Sequence, residues 1–283
     1  MSSEAEPAPR PAPEASAAGV RRFLLGRPWT ASTAARALAL AAAVAALLWW
    51  TAGNLGFNWG ELARGMPYIA DVLGRMLPPN WGYITRLWSP VAETIQIALW
   101  GTVLGVVLAL PLTFLAARNL TPAAWLFHAT RQVLNALRGI NEIIFALVFV
   151  AAVGLGPFSG VLALAIHGAG MLGKFFAEAI EEVNPGPVEA IRATGARPLQ
   201  VIAFAVLPQA WPSWIAATLY RLEVNLRAAT ILGMVGAGGI GFELVSSLKL
   251  FQYQDASLCV LVILALVMIT DWASSRLRAR ILA

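Results

Sequence analysis

The chain has 283 residues, of which 59% are hydrophobic and only 12% are charged, and its mean hydropathy is +0.70. Soluble domains average about a quarter charged residues, so this composition argues against a soluble domain and indicates an all-α integral membrane protein. Many arginines stand beside apolar runs, so the net charge of +5 favours membrane anchoring over nucleic-acid binding. Cys259 is the only cysteine, and with two separated histidines the sequence predicts no disulfide and no metal site.

The N-terminal part divides into a tail and a first apolar run. Residues 1–36 are predicted to form a disordered, basic cytoplasmic tail, because their Ala-, Pro-, Ser- and Glu-rich start has too little apolar surface to fold alone. The run 37–53 is too long for a cleaved signal peptide and precedes many further apolar runs. We therefore predict that it is the first transmembrane helix.

Helices that cross a bilayer need about 20 mostly apolar residues, and six runs qualify. These runs cover residues 37–53, 90–117, 130–153, 157–178, 213–234 and 256–274. Arginines before the first run and after the last place both termini in the cytoplasm. Segment 54–89 is then periplasmic, and its amphipathic stretch 60–76 predicts a helix along the membrane surface. Residues 90–283 form the membrane core.

A polar segment, residues 181–212, interrupts the apolar runs and is predicted to be cytoplasmic. Its prolines predict two short helices, Val188–Thr194 and Pro198–Leu207, with Pro208 and Pro212 ending or bending the second. Gly195 stands between them and permits a sharp reversal of the backbone. Such a pair would form a rigid knob that fits a groove on another protein. A helix-turn-helix lying on the bilayer is the alternative.

The residue order of this segment resembles the cytoplasmic docking loop of ABC-importer permeases. That loop begins with Glu-Ala, has a Gly six residues after the Glu and ends near a Leu-Pro. The matching residues are Glu189, Ala190, Gly195, Leu207 and Pro208. The sequence from residue 85 to residue 283 is also similar to PhnE, the membrane subunit of phosphonate ABC importers. The blocks that carry this similarity are LPLTFLAARNL (110–120), 149–167, 170–196 and 218–244, together with the final Arg-rich helix.

One block departs from the PhnE pattern. The sequence Gly139-Ile140-Asn141-Glu142 stands where relatives tend to have Ser-Ile-Pro followed by an acid. Because proline kinks helices, its loss predicts that a kink in the third span is removed.

The resemblance implies a MetI-like type I importer permease in the bacterial inner membrane. Two copies would form the channel, two cytoplasmic ATPase subunits would bind the coupling loop (residues 181–212), and a periplasmic binding protein would deliver phosphonate. ATP and Mg²⁺ would sit on the ATPase, so this chain is expected to bind no cofactor and to catalyse no reaction. Phosphate or phosphite are alternative cargoes. A secondary carrier and an intramembrane enzyme are alternative classes, but we find neither a convincing inverted repeat nor a polar catalytic set.

Three glycine patterns call for interpretation. Gly168–Lys174 resembles the start of a P-loop but lacks the following Ser or Thr, so we predict that its glycines, like the GxxxG pair Gly101 and Gly105, permit close helix packing. The third pattern fits a dinucleotide-binding fingerprint but has no strand-turn-helix around it. We expect it to form an irregular external loop beside the translocation path, with a flexible loop as the alternative. Its glycines are Gly236, Gly238, Gly239 and Gly241.

Charged residues inside spans are costly and often functional. Glu223 and Arg227 have the i,i+4 spacing of a favourable helix pair, and mutual neutralisation is one interpretation. The other is that Arg227 and His167 border the path, because a guanidinium matches the oxygens of a phosphonate. Further polar residues in the spans are Glu93, Gln96, Asn141, Glu142, Lys174, Asn225 and Asp271.

Overall fold

A computed structural model describes residues 31–56 and 58–282, and in these ranges the chain is helical without β-strands, as predicted. Most of the predicted N-terminal tail lies outside them. The α-helices are α1 (Ala31–Asn54), α2 (Trp59–Met76), α3 (Ile84–Ala116), α4 (Ala124–Gly139), α5 (Glu142–Val153), α6 (Pro157–Glu181), α7 (Pro185–Ala193), α8 (Pro198–Val201), α9 (Leu207–Leu232), α10 (Ile240–Lys249) and α11 (Tyr253–Leu282). A 3-10 turn covers Trp81–Tyr83, and π turns cover Ile202–Val206 and Gly233–Ala237.

Two compact units divide the chain, residues 1–68 and 69–283. In the first unit, α1 contains the predicted first span. The amphipathic stretch 60–76 is helical as α2, which crosses the boundary between the units. Within α2, Asp71 and Arg75 form an exposed i,i+4 ion pair of 2.9 Å. The periplasmic position of this segment stays a prediction.

The second unit is built around α3 and α6, which pack closely because small residues face each other. A Cβ atom added to Gly101 would lie 2.7 Å from Cβ of Leu164, and one added to Gly105 would lie 3.3 Å from the Ala165 carbonyl oxygen. Two glycines of the P-loop-like pattern, Gly170 and Gly173, bring α6 against α4 in the same way. An added Cβ at Gly173 would lie 2.7 Å from Cδ2 of Leu134. The predicted packing role of both patterns is confirmed.

The predicted third span is wrong as a single helix, and so is the expected loss of its kink. Residues 130–153 fall on α4 and α5, whose axes meet at 85°. Ile140 is extended, and the side chain of Asn141 accepts a 2.9 Å hydrogen bond from the backbone N–H of Ile143. An Asn at this position caps a new helix, so it creates a break without proline. Five described segments are long and apolar enough to span a membrane, and the bent pair makes a sixth.

The sequence suggested that Pro208 ends or bends the second loop helix, but the helix does not end there. It continues from α8 through a π turn into α9, so that Pro198–Ala237 is one helical segment of 40 residues. Pro208 has no N–H and so donates no helical hydrogen bond. The π turn directly before it keeps the helix continuous, with the Leu207 N–H donating to the Ile202 carbonyl five residues earlier. The coupling loop is therefore continuous with a membrane helix across Pro208.

Trp214 joins three helices near the loop. Its ring stacks on Phe176 of α6 with centroids 4.7 Å apart, and its edge faces Phe114 of α3 at 6.3 Å. Its indole N–H donates a 3.1 Å hydrogen bond to the Phe176 carbonyl. This buried aromatic cluster fixes α9 to α3 and α6 beside the coupling loop.

Candidate coupling loop and translocation residues

A two-helix knob (α7, the Gly195 turn and α8, residues 185–201) projects from the bundle. Gly195 has φ +78°, and no atom lies within 4 Å of a Cβ placed there, so its backbone angle rather than lack of space requires glycine. Glu189 and Ala190 lie exposed on α7. Leu207 is half-buried and Pro208 exposed on α9, beyond the knob. The predicted docking residues thus divide between the knob and the helix on which it is mounted.

Gln209, which sequence reasoning missed, ties the knob to that helix. Its Oε1 accepts a 3.0 Å hydrogen bond from the backbone N–H of Asn184, the N-cap of α7. Its Nε2 donates a 2.7 Å hydrogen bond to the Ala205 carbonyl in the π turn. One amide therefore joins the start of α7 to the start of α9. The only sequence signal is a polar residue directly after Leu207-Pro208.

A second tie links the loop to α3 and α4. Arg131 Nη2 lies 3.0 and 2.9 Å from the two carboxylate oxygens of Glu181, at the end of α6. Its Nε donates to the Ala116 carbonyl at 3.2 Å, and the Arg118 N–H donates to Glu181 at 2.7 Å. Glu181 thus holds the helix that enters the coupling loop against the turn between α3 and α4.

Apolar surface on the loop is available to a partner. Leu199 on α8 is 79% exposed and Phe204 in the π turn is 71% exposed. Exposed apolar residues next to the arginines of a polar loop are typical of protein contacts. A cavity of about 760 Å³ lies between the knob and the bundle, lined in part by Val183, Val188 and Arg192.

The glycine loop of residues 236–241 is fixed by backbone contacts. Gly156 donates to the Gly236 carbonyl at 2.9 Å, and the N–H of Ile240 donates to Thr94 Oγ1 at 2.9 Å. Gly236, Gly238 and Gly239 have positive φ. An added Cβ at Gly238 would meet the Glu93 carboxylate, and one at Gly239 would meet Thr94. The loop therefore packs directly on α3 through positions that only glycine can fill.

The predicted path charges fall into two separate groups. Glu223 is buried and pairs with Arg227 at 3.6 Å, as the spacing predicts, and with Arg278 of α11 at 3.1 Å, which the sequence did not indicate. The side chain of Arg227 is 55% exposed. His167 lies instead at the α4–α5 break, with Nε2 3.5 Å from Glu142 and Nδ1 2.9 Å from the Ile140 carbonyl.

Arg221 is the charged residue that sequence reasoning overlooked. It is only 2% exposed, between α9 and α6. Its Nη1 donates to the sulfur of Met171 at 3.5 Å, while Nε and Nη2 have no hydrogen-bond partner within residues 31–56 and 58–282. The only signal was an arginine six residues before Arg227 in an apolar span.

Comparison with known proteins defines the class. Residues 101–282 match the family described as "Binding-protein-dependent transport system inner membrane component", and the chain belongs to it. It is 48% identical over 243 residues to the phosphite transport system permease protein PtxC of Stutzerimonas stutzeri, covering 85% of this chain and 87% of that one. It is 49% identical over 118 residues to the putative cryptic phosphonate transport system permease protein PhnE2 of Escherichia coli, covering 42% of this chain and 97% of the relative.

A solved structure confirms the fold. The MetNI methionine ABC transporter in inward-facing conformations matches with a TM-score of 0.61 and 24% identity, over 71% of this chain and 99% of that chain. The predicted MetI-like bundle and the resemblance to PhnE are confirmed. This chain is a multi-pass membrane protein of the binding-protein-dependent family.

Proposed function

We propose that this chain is the permease subunit of an ATP-driven importer that moves phosphorus oxyanions across the bacterial inner membrane, with phosphonates as the proposed cargo. The observation that carries the proposal is the two-helix knob, which continues through α8 into α9 without interruption. The family match and relatives named for phosphite and phosphonate transport support it.

A separate ATPase subunit is the proposed motor, and it holds ATP and Mg²⁺. Its contact surface on this chain is the exposed face of the knob, which includes Glu189, Ala190 and Leu199. Gln209 carries movement of the knob to α9, because it bonds to the N-cap of α7. Glu181 carries movement at the end of α6 to the turn between α3 and α4, because it accepts hydrogen bonds from Arg118 and Arg131. Leu207 and Pro208 lie where this movement enters the membrane helix.

A second copy of the chain supplies the other half of the pore. Arg227 lies within a span and is more than half exposed in the single chain. Arginines in membrane spans face protein or water rather than lipid, so this face of α9 supports a neighbouring copy or an aqueous path. We therefore keep Arg227, Glu223 and His167 as path residues. The glycine loop that bears Gly236, Gly238, Gly239 and Gly241 would sit at the entrance.

Both chain termini and the coupling loop are placed in the cytoplasm, and residues 54–89 in the periplasm. The arginines that flank the first and last spans support this orientation. A binding protein would then deliver the cargo from the periplasmic side.

The experiment that tests the cargo is ATPase stimulation in the reconstituted complex of this chain, its ATPase and its binding protein. Binding protein loaded with a phosphonate is expected to stimulate hydrolysis more strongly than binding protein loaded with phosphite or phosphate. Unloaded binding protein is the control. If phosphite or phosphate stimulates hydrolysis most strongly, that anion rather than phosphonate is the cargo. If none of the three stimulates hydrolysis, the proposal that this chain belongs to an importer is contradicted.

A further inference from the structure

We propose that one edge of the Arg221 guanidinium is a transient binding site for the oxyanion inside the membrane, closed between α6 and α9 in this conformation. The inference rests on the proposed function, since it assumes an anionic cargo. It differs from the predicted path residues because Arg227 is paired with Glu223, whereas two donors of Arg221 have no acceptor in the part of the chain that the structure describes.

The free donors of Arg221 form a single recognition surface. Nε and Nη2, the two nitrogens without a partner among the described residues, lie on the same edge of the planar group. This edge presents parallel N–H groups that match two oxygens of a phosphoryl group. The third nitrogen, Nη1, faces only the weak acceptor sulfur of Met171. The Nε–Nη2 edge therefore has the geometry of a side-on oxyanion site.

A purely structural role explains this arrangement poorly. Burying a guanidinium without hydrogen-bond acceptors is costly, and more so within a membrane span. The ionisable groups near it are Glu142, His167 and Tyr220, but the Glu142 carboxylate approaches His167 rather than forming an ion pair with Arg221. Glu142 offsets part of the positive charge, so an anion would bind weakly. Weak binding is what a transport route requires, because a tight site would trap the cargo.

The site is placed where coupling movements would open it. Gly168 of α6 covers the guanidinium, and a Cβ added there would lie 3.3 Å from Nε of Arg221. Arg221 stands thirteen residues after Pro208 on the same helix, which is about 20 Å along its axis. Separation of α6 from α9 would therefore expose the Nε–Nη2 edge.

The test compares Arg221→Lys and Arg221→Met in the full complex with ATPase and loaded binding protein. Lysine keeps the charge without the two-pronged edge, and methionine removes both. Both variants are expected to assemble and to retain ATP hydrolysis stimulated by loaded binding protein, while phosphonate uptake falls at least about tenfold, as loss of a charge-assisted hydrogen bond implies. Arg64→Gln on α2, an exposed arginine outside the spans, is the matched control and is expected to transport normally.

Uptake within twofold of wild type in either variant would overturn the inference. Failure of both variants to assemble would also contradict it, because Arg221 would then be a structural charge. If the wild-type complex shows no ATP-dependent uptake, the proposed function fails. If wild type transports and Arg221→Met transports equally well, only this site is lost.

Discussion

Charged side chains within the spans of this chain are held in two different ways. Glu223 has two arginine partners, so its burial is compensated, whereas Arg221 has two nitrogens without acceptors among the described residues. In the first arrangement the opposite charges neutralise each other. The second leaves binding capacity unused, and we relate it to the cargo.

A second prediction for a single residue concerns Gln209, which ties the knob to α9. Replacing it with Leu would leave the Asn184 N–H and the Ala205 carbonyl without their partner, at a cost of about 1–2 kcal/mol in stability. Since we propose that this tie transmits movement, we expect the variant to hydrolyse more ATP for each oxyanion transported. The ratio of hydrolysis to uptake in proteoliposomes measures this.

Gln132→Leu, at an exposed position on α4, is the control for that variant. An unchanged ratio for Gln209→Leu would show that the tie does not carry the coupling movement.

Local spacing predicted some of these residues and not others. Glu223 and Arg227 were paired correctly because a helix brings residues four apart together. Arg278 and Gln209 were missed because their partners lie 55 and 25 residues away in sequence, and only the packed bundle brings them together.

At the scale of elements, the break between α4 and α5 separates this chain from a simple row of spans. Hydrophobic length predicted one helix over 130–153, because apolar composition does not reveal an internal cap. Asn141 supplies that cap at φ −65° and ψ 144°. The same limit explains why α8 and α9 join through Pro208, since the compensating π turn has no signature in sequence.

The backbone at this break is compatible with proline, which fixes φ near −65° and requires an extended residue before it. Asn141 has that φ, and Ile140 is extended at φ −90° and ψ 128°. We therefore expect Asn141→Pro to assemble and transport like wild type. Asn141→Ala should lose about 1 kcal/mol of stability with its cap.

Thermal unfolding in detergent, followed for both variants, provides the comparison. Greater destabilisation by proline than by alanine would contradict the prediction, because both variants lose the Asn side chain and the difference would show that the backbone at this break does not accept proline.

At the scale of the whole molecule, we propose that the separate ATPase subunit moves α6 and α9 through the coupling loop. Composition and apolar runs predicted the membrane class and the number of spans with the bent pair counted as one. Motif spacing predicted the family, which the comparisons confirm. The second copy, the ATPase and the cargo contact this chain only in the assembled transporter. Contacts within one chain therefore determine them only in part.

The most direct measurement is oxyanion uptake into proteoliposomes that contain this chain, with or without its ATPase and an ATP supply. Loaded binding protein is added on the side of the membrane opposite the ATPase. The account predicts uptake only when ATPase and ATP are both present. Accumulation of the oxyanion by vesicles that contain this chain alone would contradict it.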